Sequence, residues 1–325
     1  MLERENDCRN IAADLLYLKP DEISFTSSCA EAYNLLASCL DLKPQDEIVV
    51  TNLDFPSCVT PWLCTHTRPN LQIWHHKYGG LDVADVLPLL NKHTRLIQLP
   101  VVAYYNGYLL PWRQFVEPLR KAAPEAIIAL DMTQALGRVD LKDYADADII
   151  IGSTHTWALS IHGLAIVGIP TAKAERLRPY AGGWRHLQDP FGMNRFHSAR
   201  AKSGAAGFGT GTPNFPAIYA LNAALRYIQN IGLDVLKAEL QPILNYLHES
   251  LETLGLTPLA PYEMGMGSSG IVAFKQSMAK ELHAQMQQRG VEVQRDGQVL
   301  RISVHGYNTY HDVNRMLTVL DKVLP

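Results

Sequence analysis

No apolar run in the 325-residue chain approaches the roughly 18–20 residues needed to span a bilayer. The opening Met1-Leu2-Glu3-Arg4-Glu5-Asn6-Asp7 is too polar for a signal peptide. A membrane-embedded or exported protein is thus not expected; a cytoplasmic one is. Cysteine is absent beyond residue 64. The five present, Cys8, Cys29, Cys39, Cys58 and Cys64, are odd in number and lack Cys-x-x-Cys spacing. That pattern fits reduced thiols better than a disulfide framework and offers no zinc-ligand spacing, so no metal site is expected. A basic surplus is also missing: 29 Lys and Arg against 32 Asp and Glu leave −3, which argues against nucleic acid or an anionic membrane as partner. Internal repeats, low-complexity tracts and Gly/Ser linkers are absent.

What remains is an ordinary globular composition, 47% hydrophobic and 19% charged, long enough for one large domain and a smaller one. A helical spacing over 3–18 stops at Pro20. Residues 21–26 read as a strand entering the turn Ser27-Ser28-Cys29-Ala30, with a helix over 31–40. Further strands are expected at 46–51, 71–74 and 94–99, and helices at 82–91 and 112–122. The segment 126–131 is a short buried strand that ends in Asp131. A second, from Asp148, delivers Ser153-Thr154-His155-Thr156-Trp157. Short apolar runs bounded by turns suit parallel strands covered on both faces, and ligands gather at their C-terminal ends. Residues 185–206 read as a long surface segment. Helices at 216–230 and 233–254 then lead to strands at 270–274, 291–293 and 299–303, with helices at 277–289 and 310–323.

Asp131-x-x-Gln134-x-x-Gly137, then Asp148, then Ser153-x-His155-x-Trp157, resembles the core of the class V aminotransferases, fold-type I pyridoxal-phosphate (PLP) enzymes that include cysteine desulfurases and isopenicillin N epimerase-like proteins. The resemblance runs from about residue 9 to the C-terminus. It implies an α/β fold: a large domain with a mostly parallel central sheet flanked by helices, over 21–232, and a smaller α+β C-terminal domain over 233–325. Residues 1–20 would form an N-terminal helix, and the longer leading segment usual in the family is expected to be missing. It also implies a homodimer with its site at the subunit interface.

Residue by residue, the resemblance assigns Asp131 to the pyridine nitrogen, Gln134 to the ring oxygen, and Ser153 and His155 to the phosphate or a face of the ring. Ser28, Cys29 and Ala30 fall where the family has the glycine and threonines of its phosphate turn, and a helix start there presents free N–H groups. An ordinary helix cap is the alternative for that turn. Phe55 falls where an aromatic ring stacks on the pyridine, or is plain core. Thr212, in Gly211-Thr212-Pro213-Asn214, matches the hydroxyl that reaches a neighbouring subunit's phosphate. Arg301, in Leu300-Arg301-Ile302-Ser303, matches the arginine that binds the substrate carboxylate; a surface ion pair is its alternative. Asn106 is a candidate for the family's asparagine, although counting back from Gly107 puts Tyr104 there.

The family pattern places a lysine after the histidine of the tip; here Thr156 stands in its place. Lysine holds PLP covalently and, as a free amine, moves the substrate's proton. Threonine does neither, and general acid–base catalysis alone is worth about 10²–10⁴-fold. Lys77 and Lys202 are the nearest conceivable substitutes. Three readings stay open. The chain is an enzyme that holds PLP or pyridoxamine phosphate noncovalently, with His155 as base and an amino-acid-like substrate. Or it is a pseudo-enzyme, a binding module or the partner of an intact homologue in a heterodimer. Or it is an altered descendant of an active enzyme.

Overall fold

The computed structural model describes residues 2–262 and 269–324. In chain order the elements are α1 (Leu2–Leu16), β1 (Ile23–Thr26), α2 (Cys29–Cys39), β2 (Glu47–Thr51), α3 (Pro56–Cys64), β3 (Asn70–Trp74), α4 (Val83–Val86), β4 (Thr94–Pro100), α5 (Trp112–Ala122), β5 (Ile127–Asp131), β6 (Ile149–Ser153), β7 (Ala165–Gly168), α6 (Phe215–Ile231), α7 (Leu233–Thr253), β8 (Ile271–Lys275), α8 (Ala279–Gln288), β9 (Gln294–Asp296), β10 (Val299–Ser303) and α9 (Tyr310–Val323). Seven strands form one sheet in the order β1-β7-β6-β5-β4-β2-β3. The run β3-β2-β4-β5-β6 is parallel. β7 runs against both of its neighbours, β6 and β1.

The central strands are buried on both faces, and their residues alternate between two helix layers as a period of two requires. Val49, Ile97, Ile128, Leu130 and Ile150 join the core that holds Ile11 and Leu16 of α1, Phe115 of α5 and Leu221 and Leu225 of α6. Their neighbours Ile48, Val50, Leu96, Ile127, Ala129, Ile149 and Ile151 join the core under Tyr33 and Leu36 of α2 and Trp62 of α3. The smaller unit has its own core. Leu244, Leu247 and Leu251 of α7, Leu282 and Met286 of α8, and Leu317 and Leu320 of α9 cover the antiparallel sheet β8-β10-β9.

Four local expectations are corrected. The helix over 82–91 is one turn, Val83–Val86, followed by a 3₁₀ turn at Leu87–Leu89, because Pro88 cannot continue the hydrogen-bonding ladder. The strand expected at 291–293 lies at Gln294–Asp296. The two-residue turn Gly297-Gln298, with Gly297 at φ +57°, pairs Asp296 with Val299 and so fixes the register there. The helix expected from residue 31 starts at Cys29. β7, four residues of Ala-Ile-Val-Gly, was too short for its periodicity to mark it. The segment 185–206 is also more than surface: His186 is fully buried and Leu187 bridges to Ala201.

Hydrogen bonds from His305 and Ser269 are among the contacts that tie the small unit to the sheet's C-terminal edge. His305 Nε2 meets the Trp157 carbonyl at 3.0 Å and its ring stacks on Trp157. Ser269 Oγ donates to the Gly107 carbonyl at 2.7 Å. Gly107 sits at φ +82°, and a Cβ there would lie 2.4 Å from the Ile271 carbonyl oxygen. Only glycine allows that approach.

Candidate active site

The site is built where β5 and β6 end. Asp131 is the last residue of β5, Ser153 the last of β6, and the two strands are paired neighbours. The turn after β5 carries Thr133, which joins the parts. Its N–H donates to Asp131 Oδ1 at 2.9 Å, and its hydroxyl accepts from the Ser153 N–H at 3.1 Å. Its carbonyl accepts from Thr156 Oγ1 at 2.9 Å. Cys29 completes the group, with Sγ 3.6 Å from Thr133 Oγ1 and accepting from Ser153 Oγ at 3.1 Å. The sequence reading missed Thr133 because three of these four contacts reach residues 20 or more positions away, which no local pattern records.

Asp131 is buried. Its Oδ2 accepts from the Tyr33 hydroxyl at 2.6 Å and from the Cys58 thiol at 3.5 Å. Burial raises its carboxyl, against the pull of these hydrogen bonds. Asp54 lies three residues past the end of β2. The carboxyl of Asp54 is enclosed although part of the residue is exposed, and it takes a hydrogen bond from the Phe55 N–H at 2.8 Å. Gln98 Nε2 reaches it at 3.5 Å. Burial, and then the charge of Asp131, push Asp54 up to about 7. Asp54, Tyr33, Cys58 and Gln98 were not picked out from the sequence. Their only signal was polarity within apolar segments.

The turn before α2 is organised by Glu31. Ser28 is the N-cap and accepts from the Glu31 N–H at 3.1 Å, while Ser27 donates its N–H and hydroxyl to Glu31 Oε2 at 2.8 and 2.5 Å. Glu31 Oε1 accepts from Thr210 at 3.1 Å, which brings in the loop of Thr212. Thr212, Ser27 and Glu31 line one cleft of about 180 Å³. Ala30 is exposed at the first turn of α2, so the helix start offers backbone N–H groups there. Cys29 lies beneath; burial, then the charge of Asp131, push its thiol up to about 12 and keep it neutral.

On the β6 side, the His155 ring lies 4.0 Å from that of His162. Burial, and then His162, lower its basicity. His162 was also missed, since a single histidine in a glycine-containing loop carries no pattern. The Gln134 Oε1 accepts from Trp157 Nε1 at 2.8 Å. Phe55 is 43% exposed, so it is not core; its ring stands edge-on to Tyr104 at 4.8 Å. The Arg301 guanidinium lies 4.4 Å over the other aromatic neighbour in this ladder, the Tyr104 ring, and donates to the Tyr104 carbonyl at 2.9 Å. Its Nε is buried without a partner, and among the described residues no carboxylate pairs with it. Burial lowers its basicity. The surface-pair alternative for Arg301 therefore has no support among the described residues.

Three other candidates stand apart. Asn106 is fully buried, donating to the Gly79 carbonyl at 2.7 Å and accepting from the Tyr108 N–H at 3.0 Å, so its amide holds a loop together. Lys77 is ion-paired to Asp85, and Lys202 donates to the Arg185 carbonyl at 3.1 Å. Neither amine enters the cluster around Thr133. No group of three or more His, Cys, Asp or Glu placed to hold a metal occurs among the described residues.

Chemically, the set has an acid at one end, a helix N-terminus with hydroxyls at the other, exposed ring faces between, and an unpaired guanidinium to one side. That arrangement suits a flat, cationic heterocycle that carries an anionic group. It offers no amine at residue 156.

The chain matches the family model described as aminotransferase class-V over residues 2–316. It is 26% identical over 319 residues to the uncharacterized aminotransferase YcbU of Bacillus subtilis, which covers 97% of this chain and 83% of that protein. It is 31% identical over 232 residues to a probable cysteine desulfurase of Mycoplasma pneumoniae, 69% of this chain and 55% of the other. Among solved structures, the apo cysteine desulfurase of Thermococcus onnurineus is similar with a TM-score of 0.87 at 22% identity, over 99% and 84% of the two chains. A lysine-to-alanine mutant of C-DES, with glycine covalently linked to its PLP cofactor, has a TM-score of 0.88 at 18% identity, over 98% and 86%. At these identities the two structures speak to fold.

Proposed function

The chain belongs to the aminotransferase class-V family, and from that premise we propose that it holds PLP or pyridoxamine phosphate without a covalent link and binds an amino-acid-like carboxylate on Arg301. The observation that carries this reading is the state of Arg301: a largely buried guanidinium, stacked on Tyr104, with an unpartnered Nε and no described carboxylate. A desolvated, unpaired cation is costly alone and strongly favours an anion that fits its fork. Tyr104 and Phe55 lead from it toward the strand ends, where the heterocycle would lie.

In this reading Asp131 faces the ring nitrogen, the start of α2 and Ser153 hold the phosphate, and Phe55 and His155 flank the ring. When bound, the cofactor supplies an electron sink for the substrate's Cα. Thr156, neutral and bonded to the Thr133 carbonyl, neither links to the cofactor nor serves as base. His155 has its basicity lowered, so it is the free base at neutral pH and accepts the proton at Cα. A protein of the same fold, a lysine-to-alanine mutant of C-DES, was captured with glycine covalently linked to its PLP cofactor, which supports the view that a site of this fold holds cofactor and amino acid together.

The test is a titration of the purified protein with PLP and with pyridoxamine phosphate, followed by absorbance, then with amino and keto acids. Saturable cofactor binding is expected. Arg301→Met should retain it while losing about 10–100-fold in affinity for the carboxylate ligand, the worth of a charge-assisted hydrogen-bonded pair. Unchanged carboxylate affinity would refute the role of Arg301. No binding of either cofactor would refute the reading as a whole and favour a pseudo-enzyme.

A further inference from the structure

A second cleft, of about 190 Å³, opens between α1, β1 and the segment around Arg185 to Gly209, with neither Asp131 nor Arg301 in its lining. It gathers three cations around one acid. Glu5 of α1 is buried. Its Oε1 accepts from Arg9 Nη2 at 2.8 Å, and Arg185 Nη2 donates to Oε1 at 2.8 Å and to Oε2 at 2.7 Å. Lys202 lines the same cleft, and its amine donates to a neutral partner, the Arg185 carbonyl, at 3.1 Å. Among the described residues no carboxylate other than Glu5 pairs with Arg9 or Arg185, and none pairs with Lys202. Three positive charges against one negative leave a surplus of two in a space partly closed to water. Neutral donors face it too. Ser24 is 4% exposed and lines the cleft, and its hydroxyl has no hydrogen-bond partner among the described residues. An acceptor in the cleft would satisfy it. β1 is an edge strand, so alternate residues turn their N–H and C=O outward. The Ile23 carbonyl does so, accepting from Arg9 Nη1 at 2.8 Å, while the Glu22 carbonyl accepts from the Ile169 N–H at 2.9 Å on the β7 side. The alternation turns the Phe25 N–H outward, on the side of the cleft that Phe25 lines. Gly209 leaves the space open: a Cβ there would meet the Ser24 hydroxyl at 3.3 Å and nothing nearer.

We propose that this cleft binds a small, doubly charged oxyanion with the chemistry of inorganic phosphate or sulfate. Its two charges match the surplus of Arg9, Arg185 and Lys202 over Glu5. A tetrahedral ion accepts hydrogen bonds in several directions, which suits an amine, two guanidiniums, a hydroxyl and a backbone N–H around one space. Glu5 already holds both guanidiniums, so little side-chain order remains to be imposed when the ion arrives. Lys202 has no acid of its own among the described residues, and the ion supplies one. Once bound, the ion ties α1 and β1 to the segment that ends at Thr210. The Thr210 carbonyl accepts from the Trp184 and Arg185 N–H groups at 3.1 and 3.3 Å, and its hydroxyl donates to Glu31 at 3.1 Å. The ion therefore steadies the loop that carries Thr212, whether or not the strand ends hold a cofactor.

The experiment is calorimetric titration of the whole protein with inorganic phosphate, with sulfate and with acetate, at an ionic strength held constant with chloride. Saturable binding of phosphate and sulfate is expected, with acetate, which has one charge, binding more weakly. Lys202→Met keeps the stem and removes the charge, and should weaken sulfate binding about 10–100-fold, the worth of a hydrogen bond to a charged group. Ser24→Ala should weaken it about 5-fold. A separate binding event at the turn before α2 is told apart by Ser28→Ala, which leaves the Lys202-dependent event unchanged. Absence of saturable binding, or binding that Lys202→Met and Ser24→Ala leave unchanged, overturns the proposal and leaves the cofactor reading standing. Acetate binding as tight as that of sulfate overturns the dianion assignment. Should the variants not fold, lysine footprinting of the wild type decides. Acylation of Lys202, read by peptide mass, should fall saturably as phosphate replaces chloride, while that of the exposed Lys92 stays constant. Equal acylation of Lys202 with and without phosphate overturns the proposal.

Discussion

Tyr33 shows how a single side chain sets the character of this site. It is fully buried on α2, and its hydroxyl is the shortest described donor to Asp131. Tyr33→Phe leaves that carboxylate short of one donor, and urea unfolding should register a loss of ~1.5–3 kcal/mol, the usual worth of a hydrogen bond to a charged group. Asp54 acts in the opposite sense. Its carboxyl is raised from 3.8 to about 7 in the folded protein, so its contribution is fully present below pH 3.8 and is lost as pH rises through about 7. The melting temperature of the wild type should therefore fall across that window more steeply than that of Asp54→Asn, and the variant should be the more stable protein above neutral pH. His155, lowered from 6.5 by burial and then by His162, should place the acid limb of any turnover below pH 6.5; a limb at or above it would assign the base elsewhere. These residues also mark the limit of reading the sequence. The strand-end positions of Asp131 and Ser153, with His155 two residues further on, were legible because short apolar runs mark the strands that lead to them. Tyr33 and Cys58 lie 98 and 73 positions from the carboxylate they meet, and no local pattern records such a contact.

The elements were largely legible, since burial on both faces gives the central strands mostly apolar runs, interrupted in β4 by Gln98, and helices such as α5 and α6 follow their periodicity closely. The departures have local causes: Pro88 shortened a helix, and the Gly297 turn displaced a strand by three residues. The turn into α2 is where element and site meet. Ser28 caps the helix while Glu31 gathers Ser27 and Thr210, so the start of α2 is fixed from both sides. Ser28→Ala should cost about 1 kcal/mol of stability and should weaken binding of inorganic phosphate or phosphorylated cofactor more than it weakens binding of a carboxylate at Arg301. Equal weakening of both would place the phosphate away from this turn.

Across the whole molecule, the proposed site would draw Asp131, Ser153 and His155 from the large sheet and Arg301 from the small unit, across the junction between them. Gly107 lies at that junction, and Gly107→Ala would drive a Cβ into the Ile271 carbonyl. Loss of carboxylate affinity with cofactor binding retained is the expected signature, read in the same absorbance titration. Tyr180, Phe191, Met193 and Phe196 are large apolar side chains left exposed along one stretch of the chain; a second copy is expected to cover such surface, and sedimentation equilibrium should find a homodimer. No described helix is long and apolar enough to cross a membrane.

The central claim is that the cofactor is held without a lysine link, and borohydride reduction of the cofactor-saturated protein followed by intact mass measurement tests it most directly. An unchanged protein mass, with Thr156→Lys gaining the mass of one reduced PLP under the same treatment, is the expected result. A wild-type chain that gains that mass would show that another lysine takes the role, and would contradict the assignment of Thr156.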